Sequence, residues 1–308
     1  MSKKNFKFID LFAGIGGIRI PFDELNGDCV FSSEFDKYAA QTYSENFGHL
    51  PHGDITKIDL DEIPKHDLLL AGFPCQAFSM AGKRKGFEDT RGTLFFNIEK
   101  ILEARKPKAF LLENVRGLIN HDNGKTFQTI QSVLSNKKKL NYNVHFKVLN
   151  AKDYALPQNR SRIFIVGFKN QTDFSFPDPL NTKTKLSSIL QKRVQAKYTI
   201  SDLLWDSHQK RRERNQKRGV GFGYSLVKRD TAYTRTISSR YYKDGSEILL
   251  DQPGKNPRML TPREALRLQG FPESFVMPVS DNQAYKQVGN AVPVNVVRQI
   301  AKEMIKYL

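Results

Sequence analysis

Cysteine is nearly absent from this 308-residue chain, with Cys29 and Cys75 the only two. That scarcity excludes a disulfide framework, and no Cys/His set at fixed spacing supports a structural zinc site, so no metal is expected. Long apolar runs are missing too: the best, at 68–73 and 109–112, fall far short of the ~18–20 residues a membrane span needs. The opening MSKKNFKF lacks the apolar segment of a signal peptide. Acidic residues are in deficit, with 32 Asp and Glu against 49 Lys and Arg and a net charge of +17. These absences leave a reduced, soluble, basic protein with no membrane role, for which a polyanionic partner is the natural expectation. The 39% hydrophobic content and 22 phenylalanines are enough for a buried core. The length suits one large domain or two modest ones.

The positive charge is uneven. Residues 169–257 carry eighteen Lys and Arg against nine Asp and Glu, densest in KRRERNQKR at 210–218. A solvated helix face would account for that run, but helical spacing alone does not call for so one-sided a composition.

The first half of the chain alternates strands and helices. KFIDLF (7–12) and CVFSSE (29–34) read as strands, each followed by a helix-like stretch, the second closing at Gly48. HDLLLAGF (66–73) and PKAFLLEN (107–114) are unbroken apolar runs, as expected of strands covered on both faces. TLFFNIEKILEAR (93–105) supplies a helix between them, and 143–151 and 162–168 give two more strands. This order predicts an α/β fold: a doubly wound, mostly parallel sheet with right-handed crossovers. The rhythm stops after Phe168 in a Pro-rich stretch. It returns with a helix over 261–271, capped by Thr261 with Pro262 at its first position, and a last helical segment, 291–308, that should pack back on the sheet. No internal repeat or low-complexity tract is present.

Four constellations carry chemistry. Asp10 to Gly17, DLFAGIGG, lies between the first strand and helix, where glycines permit positive φ and close approach of a nucleotide-like ligand. A tight turn alone would also explain those glycines, but Glu34 ends the next strand twenty positions after Gly14, where a carboxylate can accept both ribose hydroxyls. Asp54 would close this site near an adenine amine. Second, Gly72-Phe73-Pro74-Cys75-Gln76 follows the third strand, placing a thiol in the ligand crevice, with Ser79 and the basic Lys83, Arg84, Lys85 and Arg91 close in sequence. Cys29, by contrast, reads as a small buried hydrophobe. Third, Glu113-Asn114-Val115 ends the fourth strand, its carboxylate either a loop-facing solubilising residue or a member of the same crevice as Cys75. Desolvation in that crevice would raise the Glu113 pKa and let it hold a proton near neutrality. Fourth, Gln158-Asn159-Arg160-Ser161-Arg162 precedes a strand. Arginines at i and i+2 of an extended segment point the same way and suit a phosphate or a polarised carbonyl, unless both are ordinary surface residues.

In this order FIDLFAGIGG, Glu34, Asp54, GFPCQAFS, ENV, QNRSRIFIVGF, LTPREALRLQGFP and QVGNAVPVNVV resemble the bacterial DNA (cytosine-5)-methyltransferases over nearly the whole chain. The resemblance implies a Rossmann-like, S-adenosyl-L-methionine-dependent catalytic domain over 1–188 plus 280–308, and a smaller target-recognition domain over 189–279. Carried over residue by residue, the cofactor site is Phe12, Gly14, Gly16, Glu34, Phe35, Asp54, Ile55, Pro74, Leu94, Asn290 and Val292. Phe35 stands where many members have Trp, so an aromatic face is kept. Cys75, Glu113, Arg160 and Arg162 are the implied catalytic residues. Cys75 would attack C6 of a cytosine flipped out of the duplex, Glu113 would contact N3 and the exocyclic amine, Arg162 would bind O2, and Arg160 would support loop and substrate. The 76–93 segment is similar to the family's mobile loop over the flipped base.

The basic region then reads as the target-recognition part, with bases read in the major groove and phosphates held by Lys and Arg. Thr236-Ile237-Ser238 matches a short Thr-Leu-Ser-like signature. The 234–250 segment looks like a subgroup that includes CC(A/T)GG-type enzymes, a likeness shared across several targets. Candidate contacts to double-stranded DNA are Gln76, Ser79, Arg91, Arg235, Thr236, Ser238, Arg240, Tyr241, Tyr242 and Lys243, with a plain structural hairpin the alternative for 234–250. The family further implies a cytoplasmic, nucleoid-associated bacterial enzyme and a possible cognate restriction endonuclease, with no stable protein partner. Of the rival readings, a tRNA-acting relative would have a reduced variable region. A silent DNA-binding relative would have lost the thiol, the glutamate or the glycines. A nicotinamide oxidoreductase wants GxGxxG where this turn reads GxGG.

Overall fold

The computed structural model describes residues 5–74 and 93–308. By backbone contacts the chain divides into two compact units, the first being residues 1–149, 161–178 and 296–308, the second 150–160 and 179–295. No helix among the described residues is long and apolar enough to cross a membrane.

The first unit is built on six strands: β1 (Phe6–Leu11), β2 (Gly27–Ser33), β3 (Leu68–Gly72), β4 (Ala109–Val115), β5 (Asn143–Asn150) and β6 (Ser161–Phe168), in the spatial order β2-β1-β3-β4-β6-β5. β1 pairs in parallel with β2 and β3, and β3 with β4. The unbroken apolar runs have the cause expected of them: Leu68 to Ala71 and Ala109 to Leu112 are all fully buried, because helices cover both faces. On one face Ile9, Leu11, Leu69, Ala71, Phe110, Leu112, Ile163 and Ile165 share a core with Phe95, Ile98 and Leu102 of α3 (Thr93–Arg105) and Phe127, Ile130 and Leu134 of α4 (Lys125–Ser135). Near the other face, Phe6 and Phe8 meet Phe22 of α1 (Arg19–Glu24) edge-on or tilted. α2 (Lys37–Phe47) starts on an Asp36 cap and stops at Gly48, whose φ of 74° is left-handed. The chain's end packs on this unit as expected, the Tyr307 ring lying 5.3 Å from that of Phe168.

One departure from the parallel pattern matters for the site. β6 runs antiparallel to β4, with Glu113 opposite Phe164 and Val115 opposite Arg162. Residues 151–160, which link β5 to β6, hold a single 3-10 turn at Ala151–Tyr154. A link that short and without a helix cannot make the crossover a parallel strand requires.

The second unit carries a three-stranded sheet in the order β7 (Leu226–Val227), β8 (Leu249–Gln252), β9 (Lys255–Arg258), with helices α5 (Asp202–Lys217), α6 (Pro262–Leu268) and α7 (Asp281–Asn290). α6 begins as its sequence dictates: Thr261 and Glu264 form a capping box with Pro262 at the first helical position. Glu264 is fully buried and accepts both guanidinium nitrogens of Arg258, at 2.7 and 2.8 Å, and the Gln191 amide at 2.9 Å. α5 contains the basic run, and His208 is its one buried residue. α8 (Val294–Met304) follows α7 in the chain.

Candidate active site

The glycine turn follows β1 directly. Phe12, Gly14 and Gly16 have φ of 54°, 55° and 79°, a left-handed sequence that side chains other than glycine resist. The turn is pinned from inside: the Ala13 amide donates to Ser33 O at 3.0 Å and the Gly16 amide to Ala13 O at 2.8 Å. A Cβ on Gly16 would lie 2.2 Å from the Phe47 ring, whereas one on Gly14 would meet nothing within 4 Å. Gly14 thus borders open space.

Glu34 sits where β2 ends. Its Oε2 accepts the Gly14 amide at 2.8 Å and its Oε1 the Asp36 amide at 2.7 Å. Burial raises its pKa, and those two amides pull the other way. The neighbouring Phe35 is 78% exposed, an aromatic face turned to solvent at a strand end. The 52–55 loop is tied alongside, since the Glu34 amide donates to His52 O at 2.8 Å and the Ser33 hydroxyl to Gly53 O at 3.2 Å. Asp54 caps a 3-10 turn through the Thr56 amide, and Ile55 is buried beneath it. Phe12 and Leu94 pack on the sheet core, and Pro74 is exposed just beyond β3. A glycine that opens on free space, a carboxylate and an exposed aromatic ring at adjacent strand ends fit an adenosine-like group.

The Glu113 carboxylate lies on the same edge of the sheet. Glu113 pairs in register with Gly72, and its Oε2 is 3.6 Å from where a Gly72 Cβ would stand. The Arg162 Nε donates to Glu113 Oε1 at 3.0 Å, both side chains being mostly buried. The antiparallel β4/β6 register makes this contact: Glu113 and Arg162 are diagonal neighbours on one face. The buried Asn114 donates from Nδ2 to Phe73 O at 2.8 Å, which fastens the main chain just beyond β3. Cys75, Gln76, Ser79 and Arg91 lie outside the described residues.

Arg160 behaves differently from Arg162. It is 1% exposed, in the second unit, and donates to three carbonyls: Ile237 at 2.9 Å, Gly289 at 2.9 Å and Ala291 at 2.7 Å. The expectation that the two arginines converge on one phosphate or carbonyl is corrected here, because both terminal nitrogens of Arg160 donate to main-chain oxygens. Gln158 and Gln269, both fully buried, complete the network. Gln158 takes the Ile237 amide at 3.0 Å and donates to Gln269 Oε1 at 3.2 Å, and Gln269 donates to Val288 O at 2.9 Å. A Cβ on Gly289 would lie 2.3 Å from the Ser238 backbone. Four motifs far apart in sequence therefore meet: 158–160, 236–238, 268–269 and 288–291. The exposed Asn290 and the buried Val292 lie at the segment this network holds.

Among the DNA-contact candidates, Arg235, Arg240, Tyr242 and Lys243 are exposed. The Arg235 guanidinium lies over the Phe222 ring at 4.4 Å. Thr236 donates to Asn159 O at 2.7 Å and Ser238 bonds to Glu247, so both hydroxyls are engaged within the unit. Tyr241 is corrected: it is fully buried, its hydroxyl donating to Ile248 O and accepting the Leu260 amide.

Cys29 is half-buried, with Sγ donating to Phe31 O at 3.5 Å. Burial is the largest influence on its thiol, which is pushed up to about 12. Alkylation with a maleimide at pH 8 is therefore expected to leave Cys29 unmodified in the folded protein, as read by peptide mass mapping.

A glycine turn with open space at Gly14 and a carboxylate–guanidinium pair, both at the carboxyl ends of a mostly parallel sheet, are features of an α/β enzyme. A profile of the C-5 cytosine-specific DNA methylases matches residues 6–306. The chain is 59% identical over 312 residues to the Type II methyltransferase M.DsaV of Dactylococcopsis salina, spanning 100% of this chain and 88% of that protein. It is 57% identical over 309 residues to the Type II methyltransferase M1.ScrFI of Lactococcus lactis subsp. cremoris, spanning 98% and 79%. Among solved structures, S. pombe Dnmt2 methyltransferase superposes with a TM-score of 0.82 at 21% identity, covering 98% of this chain and 99% of that one. Entamoeba histolytica methyltransferase EhMeth gives 0.81 at 20% identity, covering 99% and 98%. At that identity these two speak for the fold. The chain belongs to the C-5 cytosine-specific DNA methylase family. It is a DNA (cytosine-5-)-methyltransferase, on the Rossmann-like sheet of such enzymes.

Proposed function

We propose that this enzyme transfers a methyl group from S-adenosyl-L-methionine to C5 of a cytosine flipped out of double-stranded DNA, through a covalent bond between Cys75 and C6. The observation that carries the reading is the Glu113–Arg162 pair, set beside Gly72 at the end of β3, three residues before Cys75. Cytosine C5 is a weak nucleophile, and thiolate addition at C6 turns it into an enamine carbon. Glu113 meets N3 and the exocyclic amine and shares a proton with N3, drawing charge from the ring as the C6–S bond forms. Arg162 holds O2 and, through Nε, orients Glu113. When bound, S-adenosylmethionine supplies the methyl group that C5 accepts. A base then removes the C5 proton, and the C6–S bond breaks to return the Cys75 thiolate and the aromatic ring.

Phe12, Gly14, Gly16, Glu34, Phe35, Asp54, Ile55, Pro74, Leu94, Asn290 and Val292 are proposed to hold the methyl donor, with Glu34 on the ribose hydroxyls and Phe35 stacked on the adenine. Gly14 supports this, because its open side leaves room for the ligand backbone to approach. The 189–279 region is proposed as the target-recognition part, with Arg235, Arg240, Tyr242 and Lys243 reaching DNA. Gln76, Ser79, Arg91, Thr236 and Ser238 complete the proposed DNA surface, the last two as supports of the recognition turn. The Type II names of the relatives suggest a cytoplasmic modification enzyme that protects host DNA from an endonuclease of the same specificity.

Bisulfite sequencing of DNA from cells expressing the protein tests the reaction: protected cytosines in one fixed context support it, and uniform conversion contradicts it. Glu113→Gln keeps the shape but cannot share a proton in the same way. Its kcat is expected to fall ~10²–10⁴-fold with DNA affinity retained, measured by single-turnover methyl transfer.

A further inference from the structure

Behind the glycine turn lies a buried polar cluster that the reaction does not use. Asp10, near the end of β1, is 1% exposed, and Arg19, the first residue of α1, is 8% exposed. The two residues bracket the turn, and Tyr43 of α2 joins them. Its hydroxyl donates to Asp10 Oδ2 at 3.4 Å and accepts Arg19 NH1 at 3.0 Å. The guanidinium has further contacts. Nε donates to Asp23 at 2.7 Å, NH1 lies 3.3 Å from His49 Nε2, and the plane covers the Phe47 ring at 4.2 Å. His49 Nε2 is also 3.2 Å from the Ser32 hydroxyl. That same Phe47 ring lies against Gly16, where a Cβ would collide with it. The start of α2 is fixed to the cofactor carboxylate, because the Asp36 amide donates to Glu34.

The structure assigns these residues a role: we propose that Asp10, Tyr43 and Arg19 form a positioning network that holds the glycine turn in its ligand-ready shape. The inference rests on the proposed methyl-donor site. A turn with left-handed backbone at Phe12, Gly14 and Gly16 is not the resting shape of a free chain, so something must hold it before the ligand arrives. If the network is broken, the turn samples other shapes, and apparent affinity falls by the fraction of time it spends competent. Burial pushes the Asp10 carboxyl well above the usual carboxylate range, with Arg19 and the Tyr43 hydroxyl opposing and Asp23 and Glu34 adding to the rise. Its Oδ1 has no hydrogen-bond partner among the described residues. An amide at position 10 preserves the oxygen that Tyr43 needs.

The test compares S-adenosylmethionine binding by calorimetry in the wild type, Tyr43→Phe, Asp10→Leu and Asp10→Asn. Tyr43→Phe and Asp10→Leu are expected to raise Kd and the cofactor KM about tenfold, as for a turn competent about a tenth of the time. Asp10→Asn is expected to stay within about threefold of wild type, and kcat at saturating cofactor and KM for DNA within about twofold in every variant. The Ala13, Gly14 and Gly16 amides are expected to exchange faster in the weakened variants and to regain protection when cofactor saturates. If Tyr43→Phe does not fold, the Asp10→Leu and Asp10→Asn pair carries the comparison. Folded variants that lose melting temperature but bind and exchange like wild type would overturn the inference. A wild type that does not bind S-adenosylmethionine would instead overturn the cofactor reading beneath it.

Discussion

Replacing Cys75 with serine is expected to lower methyl transfer at least ~10⁴-fold while DNA affinity stays within about threefold. A serine hydroxyl is far less ionised than a thiol at neutral pH and is a poor nucleophile toward C6. None of the phosphate contacts that dominate affinity runs through this side chain on the proposed reading. The chain's other thiol cannot take over. Cys29 belongs to the buried cluster behind the glycine turn, 3.8 Å from the Tyr43 hydroxyl, and burial holds its thiol protonated. Cys29→Ala is expected to retain turnover within about threefold, a change of under 1 kcal/mol in barrier. Activity that survives Cys75→Ser and falls in Cys29→Ala would reverse the assignment of the nucleophile.

The second large effect concerns stability. Arg160→Met is expected to cost roughly 3–5 kcal/mol, because it removes charge-assisted hydrogen bonds and leaves buried carbonyls without a donor. The carbonyls of Ile237, Gly289 and Ala291 belong to segments separated from Arg160 by 77, 129 and 131 positions. One substitution therefore loosens the turn at 236–238 and the end of α7 together. Differential scanning calorimetry is expected to show the transition of the second unit lowered by about 10 °C or more. Arg162→Met provides the contrast. Its ion pair is with Glu113, so its expected signature is a loss of kcat with a smaller thermal shift. Equal melting behaviour in the two variants would mean that Arg160 is not the clamp.

These two arginines also show where sequence reading stops. Both lie in one motif, and extended geometry gives them a common direction, but direction does not identify partners. The partners of Arg160 lie far along the chain and are main-chain atoms, which carry no residue signature. The Glu113–Arg162 contact depends on β6 being antiparallel to β4. An apolar run such as RIFIVGF has no polarity written into it, so a βα rhythm suggested a mostly parallel sheet without marking which strand turns back. The glycine turn, Glu34 and the capped helix at Thr261 were legible because each obeys a local rule of backbone conformation or end capping. α4 was missed in the sequence, although Phe127, Ile130 and Leu134 stand at helical spacing. The basic run could be read only as charge. α5 has a single buried residue, so its helical face left little apolar pattern in the sequence. Tyr241 stood between an exposed arginine and an exposed tyrosine and shared their composition, but its ring fills the core of the second unit. Gln158, Gln269 and Asn114 received no role because buried amides act through geometry, and an amide in a motif looks the same whether it faces solvent or a carbonyl.

The central claim is that Cys75 bonds to C6 of the target cytosine before C5 is methylated. Duplex DNA with 5-fluorocytosine at the methylated position tests it most directly, since fluorine cannot leave as a proton and the C6–S bond then has no route to break. With S-adenosylmethionine present, a stable protein–DNA adduct is expected, with the cross-link on the Cys75 peptide and none formed by Cys75→Ser. Full methyl transfer to ordinary duplex DNA by the same preparation, without any adduct on the fluorinated duplex, would contradict it.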